Sequence, residues 1–158
     1  MRRGFLTVPF AISTASLIVL SVGGLSLSAG AADAKKTSLN LIEHATSDAV
    51  TDTGAKGDSA GDLLTFANEV FDEKDAKKVG GDTGWCIRIV AGKSWECFWT
   101  LTLADGQITV EGPFLDAGDS VVAVTGGTGK YAGVRGEMAL HARDAKGSAY
   151  DFKYSLMP

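Results

Sequence analysis

The chain is poor in the residues that would commit it to common chemistries. It has two cysteines and two histidines, so a zinc centre built from Cys and His at fixed spacing has little to draw on. His44 and His141 lie far apart with no Cys, Asp or Glu at ligand spacing around them, and neither a metal nor any other cofactor is expected. Basic residues are too few for a nucleic-acid stripe: 15 Lys and Arg stand against 19 Asp and Glu, and a phosphate backbone needs an excess on one face. The pairs Lys35-Lys36 and Lys77-Lys78 sit among acids and read as solvated surface. No segment sustains a helical period, and 20 glycines against three prolines point to many turns rather than to helices.

The one long apolar run is at the N-terminus. Arg2 and Arg3 precede a mostly apolar stretch from Phe5 to Leu27, and Ala29-Gly30-Ala31 has the small-residue pattern of a cleavage site. Residues 1–31 are therefore expected to be an export signal, cut before Ala32, with Ala32-Asp33-Ala34 as a second choice. A retained anchor is the rival; Pro9, Gly23, Gly24 and several Ser and Thr dilute the run and argue against stable membrane insertion after cleavage. Arg2-Arg3-Gly4-Phe5-Leu6 echoes a twin-arginine signal, with the general route also open, and a secreted protein is expected. Loss of Arg2 and Arg3 leaves thirteen basic residues against nineteen acidic ones, a net charge near −6. What remains is enough for one domain with one core.

That domain reads as a series of short strands. Residues 32–60 comprise a first strand, Leu39 to His44, and a polar loop, Ala45 to Ser59; residues 61–158 hold the rest. Leu63 to Phe71 alternates, with Leu64, Phe66, Asn68 and Val70 on one face. Trp85 to Val90 follows, then Trp95 to Leu103, with Trp95, Cys97, Trp99, Leu101 and Leu103 on one side. Gln107 to Glu111, Val121 to Thr125, Glu137 to Arg143 and Ser148 to Leu156 complete eight strands. Eight antiparallel strands of this size close into a small barrel, although pattern alone also permits a two-sheet sandwich.

Two catalytic motifs occur out of context. Gly57-Asp58-Ser59-Ala60-Gly61 has the spacing of a nucleophile elbow, but a polar loop precedes it and a strand follows, where the motif needs strand, turn and helix. Gly127-Thr128-Gly129-Lys130-Tyr131-Ala132 has a loose dinucleotide-binding spacing, but Gly133 and Gly136 forbid a helix behind it. It reads as a turn between two barrel strands. Cys86 and Cys97 fall opposite each other if Ala91-Gly92 forms a two-residue turn, and a longer turn would part them. In an exported protein a disulfide between them is the expected state.

The run from Gly112 to Gly136, GPFLDAGDSVVAVTGGTGKYAGVRG, together with GDLLTFANEVFD from Gly61 to Asp72, resembles the allene oxide cyclase barrel family. That family is related in fold to the plant dirigent proteins. The resemblance spans roughly Gly61 to Leu156 and implies a single eight-stranded antiparallel β-barrel, all-β, with an apolar cavity for a small hydrophobic molecule. It implies a cyclase or isomerase, with a hydrophobic-ligand carrier or a dirigent-like protein as alternatives. By the same resemblance Glu43, on the first strand, takes the place of the catalytic carboxylate. Leu64, Phe66, Asn68, Cys86, Trp95 and Phe114 take substrate-binding positions, with Phe66-Ala67-Asn68 for the family's Phe-Thr-Asn. Trp95 replaces a phenylalanine and Phe114 the tyrosine of Gly-Pro-Tyr. Ala45 replaces an asparagine, and the Ser-Pro of the following loop has no match around Thr51-Asp52; most of the family's water-holding apparatus is absent. Arg88 shares a face with Cys86 by alternation, so it either points inward, as a partner for Glu43 or a seat for a substrate carboxylate, or faces water with Glu43. Related barrels form trimers, and outward Phe98 and Leu63 lead to the expectation of a homotrimer.

Overall fold

The computed structural model describes residues 35–158; the expected export signal and its cleavage site lie outside them. Nine strands follow in order: β1 (Thr37–His44), β2 (Ala49–Thr51), β3 (Leu63–Asp72), β4 (Lys78–Val90), β5 (Ser94–Leu103), β6 (Gly106–Leu115), β7 (Ser120–Gly127), β8 (Arg135–Ala142) and β9 (Ala149–Met157). From β2 to β9 each strand pairs antiparallel with the next, and β1 pairs antiparallel with β9 and with β3. That last contact closes an eight-stranded barrel of β1 and β3 to β9, with no free edge along most of its wall. A short 3₁₀ turn, Gly129–Tyr131, joins β7 to β8, so the dinucleotide-like glycine spacing is a connecting turn.

Alternation builds the core. Leu101, Ile108, Val110, Val122, Met138 and Tyr154 point inward and are almost wholly buried, while the intervening residues of the same strands face out. Strand β4 begins at Lys78, ahead of the Trp85 start expected from the pattern, and takes in Gly80, Gly81 and Gly84. They are strand residues chosen for lack of a side chain. Gly84 is the Cα partner of Trp99, and a Cβ there would overlap Trp99 Cβ and the Phe98 carbonyl.

Two local irregularities shape the end of the barrel that carries the site. The first is β2, which the polar composition of Ala45 to Ser59 hides. It pairs with Leu63–Thr65 of β3, while β1 pairs with the other half, Glu69–Asp72. Between them the chain leaves the ladder, and Asn68 Oδ1 accepts from the amides of Thr46 and Ser47, each at 3.0 Å, and from Ser47 Oγ at 2.9 Å. A side chain thus supplies what the missing ladder bonds would have.

The second irregularity lies in the β4–β5 hairpin. Its turn is Ala91–Lys93, closed by Lys93 N donating to Val90 O at 3.0 Å, one residue longer than a two-residue loop. A bulge between Arg88 and Val90 absorbs the extra residue. Cys86 and Cys97 remain Cα partners and are joined in a disulfide.

Candidate functional site

Glu43 is the seventh of the eight residues of β1, directed into the barrel and only 5 % exposed. Asn68 on β3 donates from Nδ2 to Glu43 Oε1 at 2.7 Å and to Asp48 Oδ1 at 2.8 Å. The amide that orders the β1–β2 crossing therefore also orients the carboxyl group. Beside Asn68 lies Asp82, its Cα partner on β4, which is 1 % exposed. Burial pushes the Glu43 carboxyl up to about 8, helped by the negative charges of Asp82 and Asp48 and opposed by the Asn68 bond. Burial likewise raises Asp82, to about 7. Near neutral pH Glu43 is largely an acid, a hydrogen-bond donor rather than a fixed charge.

Glu43 lines a cavity of about 70 Å³ together with Asp48, Leu64, Phe66, Cys86, Cys97, Trp99, Phe114, Leu140, Tyr150 and Phe152. The wall is apolar except for the two carboxyl groups and the Tyr150 hydroxyl. Desolvation and the nearby carboxylates push that phenol up to about 12, so it keeps its proton. The Phe114 and Tyr150 rings meet edge to face at 5.9 Å, and the Phe66 and Trp99 rings do so at 6.3 Å. The space matches about two waters, well below the ~300 Å³ of an ordinary small-molecule site. A substrate of any size enters only if the aromatic walls or the loops at the mouth move aside.

Of the sequence-derived residues, Glu43, Leu64, Phe66, Cys86 and Phe114 come together on this wall. Asn68 stands behind it, bonded to Glu43. Arg88 is buried, as alternation from Cys86 requires, but the Glu43–Arg88 pair does not form. Its Nε lies 2.6 Å from Asp58 Oδ1, and Nη1 lies 2.6 and 2.7 Å from the two Asp116 oxygens. The reason is position: Arg88 is near the end of β4, where the loop before β3 and the β6–β7 turn bring in those carboxylates. Two acids already neutralise it, which leaves no open seat for a substrate carboxylate. Trp95 is no cavity wall either; it is buried beneath the Arg88 guanidinium.

The alternation Tyr150, Phe152, Tyr154 announced β9's inward face, yet Tyr150 and Phe152 were not singled out as wall residues. Asp48 was hidden in a polar loop. Asp82 had a signal, since it shares parity with Cys86, but it lies among glycines ahead of the strand expected from Trp85. Ser59 donates to Asp62 at 3.2 Å, and the two histidines pair with Asp75 and Asp119 on the outer surface, so no serine–histidine dyad exists among the described residues. Nor do three potential metal ligands cluster among them.

A closed antiparallel barrel with a buried acid on the wall of an apolar cavity defines a class, that of cyclase-like barrels. Residues 36–152 match the family described as allene oxide cyclase, and the chain belongs to that family. Among solved structures it is similar to a pyocyanin demethylase, at 26 % identity and a TM-score of 0.65, over 77 % of this chain and 100 % of the other. It is similar in fold to a pterocarpan synthase dirigent protein (19 %, TM-score 0.62, 77 % and 93 % covered). An exo-specific intermolecular Diels-Alderase shares the fold as well (16 %, TM-score 0.64, 78 % and 99 % covered).

Proposed function

We propose that the barrel binds a small, largely apolar, unsaturated molecule bearing an acceptor oxygen and cyclises or isomerises it. Glu43, in its acid form, donates a hydrogen bond or a proton to that oxygen as charge develops there, and Tyr150 supplies a second donor on the same wall. The observation that carries this reading is a buried Glu43, in surroundings that favour its protonated form, on a wall that is apolar but for Asp48 and Tyr150. A pure carrier has no use for an acid whose burial is costly. A dirigent-like protein, which orients intermediates made elsewhere, needs no acid–base group of its own.

The test offers unsaturated fatty-acid epoxides and linear polyenes and follows cyclic products. Glu43→Gln keeps shape and a hydrogen-bond donor but cannot give a proton. Turnover should fall ~10²-fold or more while ligand affinity changes little. Normal turnover by Glu43→Gln removes Glu43 from the chemistry. Equal binding of apolar ligands by both forms, with no turnover by either, leaves the carrier reading standing.

Export through residues 1–31 and assembly into a homotrimer belong to the same proposal. Trp85, Ile87 and Ile89 lie exposed along the outer face of β4, and Trp85 sits beside Phe98 of β5 at 6.3 Å. Such a stripe is suited to barrel-to-barrel packing. Sedimentation should give a trimer, and a monomer at micromolar concentration would refute it.

A further inference from the structure

Among the described residues, four polar atoms of the barrel core lack an aligned hydrogen-bond partner from the protein: both Asp82 oxygens, which have only the Asn68 and Asp82 backbone amides nearby, Trp99 Nε1 and the Tyr154 hydroxyl. Their residues are 1 %, 3 % and 2 % exposed. Folded proteins seldom leave such groups unmatched, because each has given up its hydration. These are not scattered. Asp82 adjoins Asn68, whose amide holds Glu43. The Tyr154 hydroxyl feels the charges of both Asp82 and Glu43 and lies beside Trp99 Nε1, without hydrogen-bond alignment to it. Trp99 in turn reaches the cavity wall. Two donors beside one carboxyl group suit a bridging water.

We propose that Asp82 is the proton partner of Glu43: each carboxyl group holds its own proton, water bridged to Trp99 and Tyr154 links the two, and Asp82 replaces the proton that Glu43 lends to substrate. This rests on the reading of Glu43 as an acid. In the forward step the Glu43 O–H bond breaks and a bond from that proton to the substrate oxygen forms. The Asp82 proton then passes through water to the Glu43 carboxylate. When the product loses a proton, it returns to the pair, so nothing is oxidised or consumed. Asp82 acts through Glu43 and is a positioning residue.

The groups facing the pair are Asp48 from the loop after β1, Asn68 from β3, Trp99 from β5, and Tyr150 and Tyr154 from β9. No cation is among the described ones: Arg88 is engaged by Asp58 and Asp116, and His44 by Asp75 on the outer surface. With no positive charge at hand, two carboxylates in one apolar core cannot both ionise readily, and their protons come off in two coupled steps.

The experiment is a carboxyl ¹³C NMR titration of the folded protein labelled at Asp and Glu, with no substrate present. In Asp82→Asn the Glu43 midpoint should fall by ~1 pH unit or more, as expected on removal of a neighbouring like charge. A Glu43 midpoint that stays put overturns the proposal. Should Asp82→Asn not fold, Glu43→Gln reads the same coupling from the other side: the Asp82 midpoint must fall, and its constancy overturns the proposal equally. This titration decides the partnership whether or not a substrate has been found. Failure to find turnover bears instead on the cyclase reading. With a substrate in hand, the alkaline limb of kcat should move with the Glu43 midpoint in Asp82→Asn, which a merely structural role for Asp82 would not produce.

Discussion

The Arg88 guanidinium carbon lies 3.9 Å from the centre of the Trp95 ring, and the same guanidinium bridges Asp58 and Asp116. Stacked on an aromatic face and held by two carboxylates, it ties the loop before β3 and the β6–β7 turn to the end of β4. Arg88 is the next inward residue after the cavity-lining Cys86, so these segments are tied down beside the cavity, and the pair is expected to act as a latch on its mouth. Arginine suits this place because a planar fork can stack and bridge at once, which a lysine cannot do.

Replacing Arg88 by Met should therefore loosen the mouth more than the barrel. Loss of one partner from a largely buried ion pair costs about 3–5 kcal/mol, and the half-exposed Asp58 reduces this to about 1–3 kcal/mol. Hydrogen exchange should quicken over residues 52–62 and change little in β6 to β9. Apolar ligands should associate faster if the latch limits entry. Unchanged exchange in the loop would show that Arg88 does not hold it.

Stability should depend on pH in a direction opposite to that of most carboxylates. Glu43 and Asp82 hold their protons more tightly when folded, at about 8 and about 7, so the folded state binds more protons than the unfolded one across the intervening range. Their contribution is fully present below the unfolded values near 4 and is lost as pH rises through 7 to 8. At the acid end the sign reverses for Asp72 and Asp144. Hydrogen bonds, from the Ala76 amide first and from Ser148 first, hold these two below the usual range, so their contribution disappears as pH falls. Tm should peak on the acid side of neutrality and decline toward pH 9, and Asp82→Asn should flatten the alkaline decline. A melting temperature level from pH 6 to 9 would contradict the burial of these acids.

The Cys86–Cys97 bridge spans a separation of 11 residues, a short loop, so it should stabilise the fold by about 2–3 kcal/mol. Intact mass of the native protein should be two hydrogens below the reduced form, and reductant should lower the guanidinium midpoint. Both cysteines also line the cavity. The double change to Ala should thus alter ligand affinity as well as stability. Alkylation of both thiols without prior reduction would exclude the bridge.

The inward faces of β5 and β9 were legible because tryptophan, cysteine, leucine and tyrosine alternate there with polar residues, a pattern only a half-buried strand requires. The placement of Glu43 came from resemblance, since a lone carboxylate in Leu41-Ile42-Glu43 carries no periodic signal. Arg88 was legible by half. Parity with Cys86 gave its burial, but its partners come from residues 58 and 116, which only the closed barrel brings to one rim. Asp82 was missed because glycines serve two purposes. In a turn they supply unusual backbone angles; at Gly80 and Gly84 they make room for a neighbour, and composition does not separate the two.

That second purpose gives a sharp test at Gly84. Alanine there places a methyl group against Trp99 Cβ and the Phe98 carbonyl, with the far edge of the Phe66 ring 2.8 Å away. The backbone carbonyl cannot yield, so Trp99 and Phe66 must, and both stand on the cavity wall. Gly84→Ala should cost about 1–3 kcal/mol, the usual price of overpacking a core, and should reduce ligand binding further by driving the two rings into the cavity. Gly133→Ala is the control. Its methyl group meets nothing within 4 Å, and only its φ of +78° is unfavourable for alanine, so it should cost about 1 kcal/mol and leave binding intact. Equal losses of binding in the two variants would show that Gly84 does not hold the cavity open.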